Sequence, residues 1–220
     1  MGDQGPTILT MLTILLGLGM MPFVVLATTS FVKVAVVLFI LRSALGVQQT
    51  PPNIVLYTIA LALTGFVGAP VASAMITEIQ AGGTDFTSFD TWVAAFQRAQ
   101  VPLRDFMMAL TTEQERAFFV SAAQQAWPAD ADLSAAPDQL VILVPSFLMA
   151  ELRRAFEIGF LIYLPFVTVD LIVTTILMAM GMSQVTPSII STPFKLFLFV
   201  SVEGWTLILT GLLTSYAGAQ

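Results

Sequence analysis

The chain of 220 residues contains no cysteine and no histidine. Without cysteine there are no disulfides, no thiolate metal sites and no thiol nucleophile. Without histidine the usual general base, the commonest metal ligand and the Ser-His-Asp triad are gone. Charge is scarce as well. Only 10% of residues are Asp, Glu, Lys or Arg, against about 25% in an ordinary soluble domain. So few charges cannot cover a globule of this size, which argues against an ordinary soluble enzyme. The 57% of hydrophobic residues excludes intrinsic disorder. The formal charge of −6 argues against nucleic acid as a partner. Neither Lys33 nor Lys195 follows the glycines of a phosphate-binding loop. The sequence offers no catalytic set, no metal ligands and no cofactor motif.

What charge there is lies unevenly. Residues 78–139 hold nine acids and three arginines, a net −6, and the remainder is neutral. The chain therefore reads as two apolar blocks around an acidic insert, with divisions at 1–77, 78–139 and 140–220. The first block, residues 8–45, is too long for one perpendicular span of roughly 20 residues. Gly46-Val47-Gln48-Gln49-Thr50-Pro51-Pro52-Asn53 ends it with an extended turn, and residues 54–77 are long enough to return. That is a helical hairpin with its tip at Gln48, Gln49, Pro51 and Pro52. In the last third, residues 140–180 are apolar, 181–193 are turn-rich, and 194–216 form a further span. The fold expected is all-α: membrane-associated hairpins of kinked helices with a small helical polar insert. No lysine or arginine precedes the first apolar run, so the N-terminus does not read as a cleaved signal peptide.

The insert reads as helical. Phe89, Trp92, Val93, Phe96 and Ala99 share a face at helical spacing. Thr87-Ser88-Phe89-Asp90 and Thr112-Glu113-Gln114-Glu115 fit capping boxes. Pro102 suits the first position of a separate short helix, 102–110. Residues 128–139 read as a loop. Two readings stand for the insert: a solvated cap on the membrane part, or a docking surface for neighbouring subunits.

Lys33, Asp170, Lys195 and Glu203 interrupt apolar runs. Each costs roughly 2.5–3.5 kcal/mol at a bilayer centre, so each needs a partner or a wet or protein-lined face. Lys195 and Glu203 are eight residues apart, about 12 Å along one helix, too far to pair directly. Their partners must lie on other helices or in other copies. Ion pairing that fixes helix register and a functional role as a proton relay or polar conduit lining are both open. Glu151 with Arg154, and Arg153 with Glu157, have the spacing to pair along one helix. Arg42 near the tip favours a cytoplasmic tip, with the insert and both termini outside. Pro22, Pro70, Pro145, Pro165 and Pro193 fall in apolar runs, where kinks are tolerated in protein or beside water. Small residues four apart (Gly65/Ala69, Gly68/Ala72, Ala155/Gly159) permit close helix contact. Met178, Met180 and Met182 cluster where a span ends; packing and a deformable seal are both compatible with flexible methionine.

These segments resemble a known family, the export-gate protein called FliP in flagella and SctR in virulence-associated type III secretion. The resemblance is carried by Thr29-Ser30-Phe31-Val32-Lys33, by Leu41-Arg42-Ser43-Ala44-Leu45 with the tip that follows, and by Pro102-Leu103-Arg104-Asp105-Phe106-Met107. It continues through Glu151-Leu152-Arg153-Arg154-Ala155-Phe156-Glu157-Ile158-Gly159-Phe160, Leu164-Pro165-Phe166, Asp170-Leu171, Met180-Gly181-Met182, Pro193-Phe194-Lys195-Leu196 and Glu203-Gly204-Trp205. The resemblance implies a ring of five copies at the bacterial inner membrane, assembled largely above the bilayer plane on the periplasmic side. It implies FliQ/SctS-like and FliR/SctT-like subunits in the same cone, FlhA/SctV-like and FlhB/SctU-like components around it, and unfolded secreted proteins passing through. It also implies a methionine-rich loop closing the pore. Met182 falls on the first of three consecutive methionines in many relatives, and here Ser183 and Gln184 follow it. Flagellar relatives often begin with a cleaved signal peptide, and an N-terminus that does not read as one leans toward the virulence branch. The reading from another class is a stand-alone ion or small-solute transporter using the four intramembrane charges.

Overall fold

The computed structural model describes residues 8–47, 49–82, 89–128, 138–182 and 184–218. Among these the regular structure is helical, with no strand. The helices are α1 (Ile8–Thr28), α2 (Phe31–Ala44), α3 (Asn53–Ala81), α4 (Phe89–Ala109), α5 (Glu113–Ala126), α6 (Leu140–Ala179), α7 (Pro187–Ser201) and α8 (Gly204–Thr214). α3 and α6 are each long and apolar enough to cross a membrane. The pairs α1–α2 and α7–α8 are further spans if each bent pair is counted as one.

α2 is the centre of the molecule. Its Lys33, Val34, Ala35, Val37, Leu38 and Leu41 are buried between α3 and α6. Leu56 and Ala60 of α3 and Ala155 of α6 close that core. Gly159 follows one turn after Ala155, and the Ile40 side chain occupies the place where its Cβ would stand. The small pair at 155 and 159 thus admits α2 closely. Gly65 and Gly68 instead have open space beside them, so their face of α3 is uncovered in a single chain.

Prolines lie within these helices without ending them. Pro22, Pro70, Pro145, Pro165 and Pro193 all lie inside helices. α6 runs unbroken for 40 residues, about 60 Å at 1.5 Å per residue, twice the roughly 30 Å of a bilayer core. Glycine ends two of the helices. Gly46 after α2 and Gly181 after α6 take φ of 75° and 74°, each just past the helix cap where a left-handed residue ends a helix at least cost.

Several expectations are revised. The first apolar block is two helices bent by 65° at Thr29–Ser30. α3 continues through residue 77 to Ala81, because Glu78, Ile79 and Gln80 carry no breaker. There is no separate helix at 102–110: α4 passes through Pro102, held by the burial of Phe106, Met107 and Leu110 against Val67, Leu143 and Phe147. The shared face of α4 is divided between buried and exposed residues. Ala95 and Ala99 are buried, whereas Trp92 is 59% and Phe96 66% exposed. Alanines let α4 approach its neighbours closely, and the aromatics are left outside. α7 starts at Pro187, not after Pro193. The span expected at 194–216 is bent by 61° at Val202–Glu203. The Thr112 capping box is present: Thr112 Oγ1 accepts from Glu115 N at 3.3 Å, and Glu115 carboxylate accepts from Thr112 N at 2.8 Å. The box expected at 87–90 and most of the loop expected at 128–139 lie outside the described residues.

Candidate functional site

Two buried ionic clusters join helices distant in sequence. The first centres on Glu151 of α6, which has no exposed surface. Lys33 Nζ and Arg154 Nη1 each lie 3.3 Å from its Oε1. The Tyr216 hydroxyl donates to its Oε2. Lys33 Nζ also sits 3.6 Å over the Tyr216 ring centre, a cation–π contact. Both carboxylate oxygens are therefore satisfied. This matters because a buried carboxylate is tolerated only when paired and hydrogen-bonded. The cluster ties α2, α6 and the residues after α8 together. Beside it opens a cleft of about 430 Å³ lined by Lys33, Arg154, Glu157 and Ser215 among others.

The second cluster centres on Lys195 of α7. Its Nζ lies 2.6 Å from Asp170 Oδ2 on α6 and donates to the Ala44 carbonyl at 3.1 Å. Ser191 donates to the other Asp170 oxygen at 2.7 Å. The Ala44 carbonyl is one of the last of α2, where the helix dipole favours a cation. One ammonium thus fastens three helix segments. The α6–α7 turn projects beyond this clasp. Met178, Met180 and Met182 are 65%, 66% and 41% exposed there, and Gln184 is exposed too. Ser183 lies outside the described residues.

At the hairpin tip, Arg42 Nη1 donates to Asn53 Oδ1 at 2.6 Å and to the Pro51 carbonyl at 3.2 Å. These bonds tie the last turn of α2 to the start of α3. Gln48 lies outside the described residues. Glu203 is exposed at the α7–α8 bend. Arg153 pairs with Glu115 of α5 at 3.0 Å, not with Glu157 as the spacing suggested. Glu115 is already fixed in its capping box and offers a buried carboxylate, whereas Glu157 is solvent-exposed.

The structure thus brings together Lys33, Glu151 and Arg154, and separately Asp170 and Lys195. It does not bring Glu203 near either cluster. Sequence reasoning missed Tyr216, Ser191 and the Arg42–Asn53 contact. Ser191 was within reach of reasoning, since it lies one turn before Lys195 on the same helix face. Tyr216 carried no signal: its partner is 65 residues away. Among the described residues no three acidic side chains converge on a metal-sized space.

Comparison with known proteins covers nearly the whole length of the chain. The model of the FliP family matches residues 11–212. A probable translocation protein of Sinorhizobium fredii is 51% identical over 98% of this chain and 97% of its own length. The Yop proteins translocation protein R of Yersinia pestis is 44% identical over 98% of this chain and 99% of its own. The hypersensitivity response secretion protein HrcR of Ralstonia nicotianae is 42% identical over 94% and 96%. The chain belongs to the FliP family.

Proposed function

We propose that this membrane protein is a core subunit of a type III secretion export gate, a structural component of the conduit and not an enzyme. The observation that carries the reading is the full-length match to a family whose relatives are named for translocation and secretion. The surface supports it. Phe156, Phe160, Phe194, Phe197 and Val200 are all more than half exposed, so the long helices present greasy, uncovered flanks. Lipid or sister subunits must cover them. The transporter reading used the four intramembrane charges as a solute path. Lys33, Asp170 and Lys195 are instead engaged in contacts that join helices.

The finer reading follows the family. Five copies form a ring at the bacterial inner membrane, raised toward the periplasmic side. FliQ/SctS-like and FliR/SctT-like subunits complete the cone, FlhA/SctV-like and FlhB/SctU-like components surround it, and unfolded proteins pass through the axis. The exposed α6–α7 turn supplies the seal, with Met182 beside the polar Ser183 and Gln184. The seal is then more polar than one of three methionines. Deleting the chain in its own host and assaying secreted type III cargo tests the reading. Secretion should be abolished and return with the intact chain. Undiminished secretion would contradict the export role.

A further inference from the structure

Glu203 occupies the bend between α7 and α8 in a left-handed conformation, φ 51° and ψ 45°. It is the one non-glycine residue with positive φ among the described residues. Glycine adopts this conformation without steric penalty, yet the chain places its glycine one position later. Gly204 is needed there for another reason: the Phe199 ring stands where a Cβ would go. Phe199 is buried and meets Trp205 edge-on at 5.4 Å. Aromatic packing therefore fixes the bend, and the bend imposes the left-handed geometry on a glutamate.

That glutamate is alone. Its side chain is exposed and makes no hydrogen bond or ion pair among the described residues. Val200, Val202 and Leu207 around it are exposed apolar residues. A carboxylate on an apolar surface that becomes covered by lipid or by a neighbouring chain requires a partner or a wet face. This chain has little to offer as that partner, even from a second copy. Lys33, Arg153, Arg154 and Lys195 are held by carboxylates. Arg42 and Arg116 donate to oxygens of their own chain. Arg98 and Arg104 remain, and both belong to the acidic insert; the Arg98 guanidinium is already packed against Gly82.

We propose that Glu203 is a docking point for a different chain, an apolar helix carrying one lysine or arginine that pairs with this carboxylate. The inference rests on the reading of the chain as a subunit of an assembly. A strained backbone retained with a charged side chain is the pattern expected where the surroundings in a complex, not in the free chain, satisfy the residue.

The test uses the assembled complex from native membranes. The chain has no cysteine, so Val202→Cys supplies a unique thiol for cross-linking, and the linked peptide is mapped by mass spectrometry. The expected product is an apolar helix of another chain with a basic residue. Glu203→Lys should lower recovery of that chain at least about tenfold, and reversing the partner's cation to glutamate should restore it to within about twofold. Glu203→Gly relaxes the backbone but removes the charge, and should lose the partner as well. A cross-link to a segment without a cation, a cross-link to a second copy of this chain, or a reversal that fails to restore recovery would overturn the proposal. Glycine retaining full recovery would overturn it too. If the wild-type chain purifies alone, the subunit reading itself falls. If the wild-type complex forms and only the charge dependence is missing, the Glu203 contact alone falls.

Discussion

At the residue scale three of the four charges in the apolar runs, Lys33, Asp170 and Lys195, are paired across helices of one chain. Lys33 with Glu151 and Lys195 with Asp170 are separated by 118 and 25 residues. A buried pair adds little over an apolar isostere, but removing one partner strands the other, at about 3–5 kcal/mol. Arg154 and the Tyr216 hydroxyl still hold Glu151 when Lys33 is removed, so Lys33→Met should lower thermal stability in detergent by less than that figure, and the loss in the double replacement Lys33→Met with Glu151→Leu should differ from the sum of the two single losses. A double loss equal to that sum would deny the coupling. Arg153 is 63% exposed opposite Glu115, and such half-wet pairs contribute little; Arg153→Ala should leave the melting transition nearly unchanged. The need for partners was legible in the sequence, since lone charges in apolar runs demand them. Which residues would answer was not. Neither propensity nor periodicity carries information about a contact between α2 and α6, and Tyr216 carried no sign of its role.

At the element scale, helix ends obeyed local chemistry and helix interiors did not. The Thr112 box, Gly46 and Gly181 mark ends where the sequence puts cap and left-handed residues. Pro102, Pro165 and Pro193 do not mark ends, although a proline inside a helix costs roughly 3 kcal/mol; buried neighbours such as Phe106, Phe166 and Lys195 anchor the turns beyond them. On α4 the alanines Ala95 and Ala99 face inward and the aromatics Trp92 and Phe96 outward, a choice between faces that spacing alone does not make. The α7–α8 bend was not legible at all, because it depends on the Phe199 ring lying against Gly204. Gly204→Ala should force that ring aside and destabilise by about 1–3 kcal/mol, as overpacking does, read as a lowered melting temperature. An unchanged transition would mean the bend is not set by this contact. Met182→Ala at the α6–α7 turn should raise small-ion leakage through the assembled complex, and leakage unchanged from wild type would deny that turn a sealing role.

At the scale of the whole molecule, the ionic clusters no longer demand other copies, since one chain satisfies Lys33, Asp170 and Lys195. The case for assembly rests instead on uncovered apolar flanks and on Glu203. Gly65 faces open space. Gly65→Val should leave the isolated chain folded, because the helix gains a better helix former. It should reduce assembly if a neighbouring helix packs there. Native mass measurement of the complex released in mild detergent tests the central claim most directly. The account predicts several copies of this chain bound with two smaller hydrophobic proteins around a common axis. A solitary folded chain that conducts small solutes by itself after reconstitution would contradict it.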